Sequence, residues 1–280
     1  MSDEYDLDAG PDPATFAADA AEPDIDEEGA APEGQRDGGG ETAEADDPVY
    51  AVGVGPGNQE YLTPRGERAI READVVVGFT TVVEFIEDLT DADLLTCGYR
   101  DEAEALEEFA ERVAAGESGT AVAMGDPNHS GYQFVGKVQA AVEREAGNRG
   151  ADPRLVRVVP GISSLQVAAS RARTPMEDTE FVTLHKSGDL ESEMDRLAAA
   201  VGERHLLVLP RPYDRMPGDI AAFLLESGAD PDLEALVLEK LTHDDEAIHR
   251  FTLDELSAHA GGSGTDDTPF SDLVVLAVRR

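Results

Sequence analysis

Residues 49–63 read Val-Tyr-Ala-Val-Gly-Val-Gly-Pro-Gly-Asn-Gln-Glu-Tyr-Leu-Thr, an apolar run entering a loop with glycine at 53, 55 and 57 and proline at 56. A glycine loop after a strand is weakly informative alone, because glycine at a bend also serves simply to supply positive φ or close backbone approach. The spacing is not the dinucleotide fingerprint: the third glycine of G-x-G-x-x-G is missing and a proline stands where the helix would open. Nicotinamide chemistry is disfavoured. Two further loops share the character of the first. Met124-Gly125-Asp126-Pro127-Asn128-His129-Ser130-Gly131 follows the apolar run Thr120-Ala121-Val122-Ala123, and Pro160-Gly161-Ile162-Ser163-Ser164 follows Leu155-Val156-Arg157-Val158-Val159. Three small-residue loops, each at the carboxyl end of a strand, are what a ligand crevice in an α/β sheet requires.

Working outward, apolar runs alternate with helical patterns, which predicts βαβ units and a largely parallel sheet. Thr63 caps a helix that Pro64 opens. Residues 101–115 place Ala105, Leu106, Phe109 and Val113 at helical spacing with acids outward. After the polar break at 147–153, a strand over 155–159 leads into a second half. There the runs at 181–184, 206–209, 235–238, 247–251 and 273–278 alternate with helices near 163–171, 189–201, 217–226 and 253–258. Only one short helix and a glycine-rich loop separate the last two strands, so the second sheet is expected to be mixed. The expected architecture is α/β, with an N-terminal domain over 48–158, a C-terminal domain over 159–280 and a cleft between.

The first 47 residues are dominated by Asp, Glu, Ala, Gly and Pro, with Arg36 the only base. Such a stretch cannot offset a backbone ordering cost of about 1–2 kcal/mol per residue, and it reads as a disordered acidic tail. It lacks the basic start and apolar core of a signal peptide. The net charge is −38 and the lysines are Lys137, Lys186 and Lys240 alone. That balance suits concentrated intracellular salt, as in an extreme halophile, where screening suppresses self-repulsion. No run reaches the ~18 apolar residues of a membrane span. Cys97 is the sole cysteine, so an intrachain disulfide and a cysteine-rich metal site are excluded. A cytoplasmic location is the expectation.

With the three loops in place, the sequence resembles the tetrapyrrole (corrin and porphyrin) methylases over residues 48–280. The motifs that carry the resemblance are the first loop with Tyr61-Leu62-Thr63, then Gly125-Asp126-Pro127, then residues 160–164. Other segments are most similar to the branch that methylates carbon 5 of cobalt-precorrin-7: residues 73–78, Leu165-Gln166-Val167-Ala168-Ala169, Thr183-Leu184-His185, and Glu239-Lys240-Leu241-Thr242 with Glu246 close behind. The resemblance implies a two-domain fold and a methyl donor, S-adenosylmethionine, held in the cleft. It also implies a corrinoid acceptor, a homodimer and a separate protein for carbon 15. Carried over residue by residue, Pro56, Gly125, Asp126, His129, Ser163 and Ser164 line the donor site. Asp126 suits a ribose hydroxyl or an ammonium group, and the serine hydroxyls suit polar groups of the donor. Locally, Asp126-Pro127 equally well opens a turn and Ser163 caps a helix.

His185-Lys186-Ser187 stands where that family often has His-Gly-Arg. The cation is displaced by one position, and lysine does not reproduce the arginine fork. His185, Lys186 and Arg211, with Arg215 nearby, are the candidates for receiving the acceptor's carboxylates. No catalytic nucleophile and no metal ligand is assigned. The six histidines show neither i, i+4 pairing nor cysteine partners. Methyl transfer from a sulfonium needs alignment more than covalent help, and alignment is worth roughly 7–11 kcal/mol. Two other functions compete: a methylase of the same fold acting on another precorrin position, RNA or a protein side chain, and a nucleoside-binding module without catalysis. Sixty acids against 22 Lys and Arg disfavour RNA.

Overall fold

The computed structural model describes residues 48–280 except 99, 130, 131, 187, 213 and 262–267. The expected acidic tail lies outside the described residues. The first half runs β1 (Val49–Gly53), α1 (Pro64–Arg71), β2 (Val75–Phe79), α2 (Thr80–Ile86), β3 (Asp93–Cys97), α3 (Glu102–Ala114), β4 (Gly119–Ala123), α4 (Tyr132–Arg149) and β5 (Val156–Val159). Its five strands lie in the order β3-β2-β4-β1-β5 and all pair in parallel. Both faces are covered, and alternate strand residues feed different cores. Val75 and Val77 join Phe109 and Val138, whereas Val76 joins Ile70 and Val83. This explains the unbroken apolar runs in the sequence: a strand buried on both faces has no polar side. Burial of a side chain the size of Phe109 contributes about 1.5–3 kcal/mol.

Local signals set the helix boundaries. Thr63 Oγ1 accepts a hydrogen bond from Gly66 N at 3.1 Å, and Pro64 occupies the first turn of α1. The end of α2 at Ile86 tightens into a 3-10 turn at Glu87–Leu89.

The second half runs α5 (Ser164–Ala172), β6 (Thr179–Thr183), α6 (Glu191–Ala200), β7 (His205–Leu209), α7 (Pro217–Glu226), β8 (Glu234–Glu239), β9 (Ala247–Thr252), α8 (Leu253–Ser257) and β10 (Val274–Arg279). Its sheet order is β6-β7-β10-β8-β9. Only β6 and β7 pair in parallel; β10 and β9 make it mixed, as the sequence predicts. Helix α5 crosses to this sheet, where Leu165, Val167 and Ala168 pack with Leu207, Leu238 and Val275. Among the described residues no helix is long and apolar enough to cross a membrane.

Candidate functional site

The loops after β1, β4 and β5 converge because the sheet is parallel and those three strands are neighbours. Their contact is backbone on backbone. Gly55 N donates to Gly125 O at 3.3 Å and Gly125 N to Gly55 O at 2.8 Å. A Cβ added to Gly161 would lie 2.1 Å from Gly125 O, and one added to Gly53 would lie 2.5 Å from the same atom. Only hydrogen fits at either position.

Against these loops lies a cavity of about 720 Å³, walled from both halves of the molecule. The first half contributes Pro56, Gly125 and His129 from the loops, and Phe79, Thr80, Thr81, Cys97, Gly98 and Phe134 from beyond them. Ser163 and Ser164 supply the third loop. The second half adds His185, the segment Lys240, Leu241 and His243, and residues 272–275. The antiparallel pairing of β8 with β10 puts the last two groups side by side, since Val274 lies opposite Glu239.

Five of the six expected donor-site residues are therefore wall residues; Asp126 stands behind the wall. Its Oδ1 accepts from Asn128 N at 2.8 Å and its Oδ2 from Gly161 N at 3.2 Å, so the carboxylate ties the second loop to the third. Ser163 is both wall and cap: its Oγ accepts from Leu165 N at 3.1 Å, and its N–H donates to Gln166 Oε1 at 2.8 Å.

Of the expected acceptor contacts, His185 lines the cavity; Lys186 and Arg211 do not. Lys186 Nζ lies 2.7 Å from Glu193 Oε1. Arg211 forks onto Asp214, with Nε to Oδ1 at 2.8 Å and Nη2 to Oδ2 at 2.5 Å, and its Nη1 donates to the carbonyls of Lys186 and Gly188. Both cations brace the turn that follows His185. Surrounding protein pushes the His185 imidazole below the ordinary histidine range, opposed by the nearby charge of Asp272. Cys97 sits on the wall with its Sγ 3.4 Å from Gly78 O, and burial, reinforced by the charges of Glu102 and Asp101, pushes its thiol up to about 11. Glu102, itself buried, is ion-paired with Lys137. A thiol so held is protonated and inert as a nucleophile at neutral pH.

The segment 240–243 is strained. Lys240 has φ 49° and Thr242 φ 73°, and for a β-branched residue the left-handed region costs on the order of 1–3 kcal/mol. The Thr242 hydroxyl is buried and makes no hydrogen bond among the described residues. His243 closes against the first loop: a Cβ on Gly57 would fall 2.0 Å from its Nε2.

The sequence did not single out the wall residues Phe79, Thr80, Thr81, Cys97, Phe134 and Asp272. Thr80 and Thr81 follow the apolar strand 75–79 just as the loops follow theirs, and that position was the available signal. Asp272 precedes a strand and carries no such signal.

A cavity at the carboxyl ends of parallel strands, roofed by a second mixed sheet, defines a two-domain α/β enzyme with an inter-sheet ligand cleft. The chain belongs to the tetrapyrrole (corrin/porphyrin) methylase family, whose description matches residues 48–257. It is 28% identical over 210 residues to a probable cobalt-precorrin-7 C(5)-methyltransferase of Methanocaldococcus jannaschii, covering 75% of this chain and 91% of that protein. Among solved structures it is similar to a cobalt precorrin-4 methyltransferase, with TM-score 0.66, 19% identity and coverage of 86% and 98% of the two chains. It is also similar to the uroporphyrin-III C-methyltransferase of Thermus thermophilus complexed with S-adenosyl homocysteine, with TM-score 0.59, 21% identity and coverage of 83% and 92%. The chain is an S-adenosylmethionine-dependent methyltransferase.

The residues present fit that donor. The wall is mainly apolar, with the hydroxyls of Thr80, Thr81, Ser163 and Ser164 and the Asp272 carboxylate placed around it, and side-chain-free backbone at Gly125 allows close approach.

Proposed function

We propose that this enzyme methylates carbon 5 of cobalt-precorrin-7, a step in building a corrin ring. One observation carries the reading furthest. Of the segment that sets the carbon 5 branch apart in sequence, residues 239–242 with Glu246, Lys240 and Leu241 are cavity wall, and the positive φ of Lys240 and Thr242 makes that stretch a strained turn. The similarity to the Methanocaldococcus protein supports the same branch.

In this reading Pro56, Gly125, His129, Ser163 and Ser164 hold the donor, and Asp126 fixes the spacing of the loops that do so. Bound there, S-adenosylmethionine supplies a methyl group already activated on a sulfonium. The protein's share of the work is orientation and exclusion of water. The protonated Cys97 thiol and the apolar wall around Phe79 and Phe134 offer no competing nucleophile. His185 meets the acceptor directly, while Lys186 and Arg211 act on it through the turn they brace. The acidic surface supports operation in concentrated salt, in a soluble setting. A homodimer and a separate carbon 15 enzyme belong to the same reading, as does a dispensable segment 1–47.

Mass spectrometry with fragmentation of the product tests it: purified protein, labelled donor and cobalt-precorrin-7 should yield one added methyl at carbon 5. A methyl at another ring position overturns the branch. No methylated corrinoid from any precursor overturns the substrate class.

A further inference from the structure

We propose that Glu246 is a positioning residue for the methyl donor, acting through Arg171 and Thr242 without entering the cavity. The inference rests on the reading of the cavity as the donor site. Glu246 is half of an ion pair whose two oxygens have different duties. Its Oε2 accepts from Thr242 N at 2.8 Å, and its Oε1 accepts from Arg171 Nε at 2.9 Å. The first bond falls on the residue whose φ of 73° is least natural for its type. The same turn is closed by Glu246 N donating to His243 O and His243 N donating to Lys240 O, both at 3.0 Å. Glu246 therefore bends residues 240–243, three of which are cavity wall.

The second bond gives that turn a fixed reference. Arg171 lies near the end of α5, the helix that begins with the wall residue Ser164. Tyr61 packs against the cluster that α5 forms with Leu165 and Ala168, and it adds to the Glu246 bond in raising the Arg171 guanidinium above its ordinary value. Tyr61 packs beside the first loop, where a Cβ on Gly55 would meet its backbone at 3.2 Å. One guanidinium thus joins the helix that follows the third loop to the strained turn that faces the first. The distance from His243 to Gly57 is set by this strut. A carboxylate with two oxygens bonded by different elements transmits geometry better than a surface pair between flexible chains, which is usually worth little.

The test is calorimetric titration of S-adenosylhomocysteine, in molar potassium chloride, into the full chain and four variants, with melting temperatures and acceptor KM at saturating donor. Glu246→Ala should weaken donor binding about tenfold and Arg171→Met about threefold, with Glu246→Gln between wild type and Glu246→Ala because it keeps an acceptor for Thr242 N. Arg196→Met, which removes the comparable Arg196–Glu180 pair elsewhere on the second sheet, should leave donor binding unchanged. Acceptor KM should stay flat throughout. Unchanged donor affinity in both Glu246→Ala and Arg171→Met overturns the proposal. So does a loss that only tracks the fall in melting temperature, as in the control. If Glu246→Ala does not fold, Arg171→Met decides, because that side chain is 40% exposed. Failure of the wild-type chain to bind S-adenosylhomocysteine overturns the donor-site reading itself and the strut with it. Binding by wild type with unmoved variants sinks the strut alone.

Discussion

The two sheets build their sides of the cavity by different means. In the first, all five strands run the same way, so every carboxyl end reaches one edge and three neighbouring strands deliver three loops to one place. In the second, β8 arrives at the cavity with its carboxyl end and β10 leaves from it with its amino end, so the wall mixes a loop after a strand with one before a strand. The parallel half locks its loops by glycine backbones in contact. The mixed half locks its turn by a carboxylate holding a strained threonine. A parallel edge makes a site repetitively; an antiparallel pair makes it from unlike pieces.

The largest way to break this comparison is Gly161→Ala. The new methyl would lie 2.1 Å from Gly125 O, with Gly53 C at 2.7 Å on another side, and backbone cannot yield as a side-chain tip does. A loss of more than about 3 kcal/mol in chemical denaturation is expected, together with loss of donor binding. A variant of near-native stability would mean the loops are not locked. Next comes Asp126→Ala, which leaves Gly161 N and Asn128 N without their acceptor. Donor affinity should fall by about 1–3 kcal/mol through loop displacement, and calorimetry at matched melting temperature measures it.

Acid sharpens the contrast more gently. Hydrogen bonds from Ser118 hold Asp74, in the first half, below its ordinary 3.8, and the Arg171 bond holds Glu246 below 4.5. A depressed carboxylate contributes stability that is full above the unfolded value and disappears as pH falls through the folded one. Melting temperature should therefore be flat down to about pH 5 and fall below it. Asp74→Asn and Glu246→Gln should each shallow the acid limb, and a limb unchanged in both assigns it to other groups. The smallest effect concerns Cys97: with its thiol near 11, about one molecule in a thousand is thiolate at pH 8. Iodoacetamide should label it far more slowly than a free cysteine, despite its place on the cavity wall.

What was legible in the sequence follows the same division. The Thr63-Pro64 helix start rests on residues a few positions apart and each glycine loop was marked by the apolar strand just before it, and both stand in the structure where the pattern put them. The mixed second sheet was legible from the short link between its last strands. Asp126 facing Gly161 was not, because that bond spans 35 residues and depends on how closely two loops approach. Lys186 and Arg211 carry the right charge for a polycarboxylate, yet their partners Glu193 and Asp214 stand in different local contexts, and nothing in their spacing says they brace a turn. Phe134 reaches the wall from α4 by packing against Phe79, with ring centroids 5.6 Å apart, a contact across separate helical and strand periods.

The scarcity of lysine makes the molecule its own reporter. Its three side-chain amines sit in three separate places: Lys137 against Glu102 beside the Cys97 wall, Lys186 against Glu193 behind His185, and Lys240 against Asp245 on the strained turn. The Asp245 bond raises the Lys240 amine above its ordinary value, which shrinks the neutral fraction that acylating reagents attack. Peptide mapping after brief acylation would thus return three signals from three regions, and loosening of the turn would be read as faster modification of Lys240 with the other two unmoved.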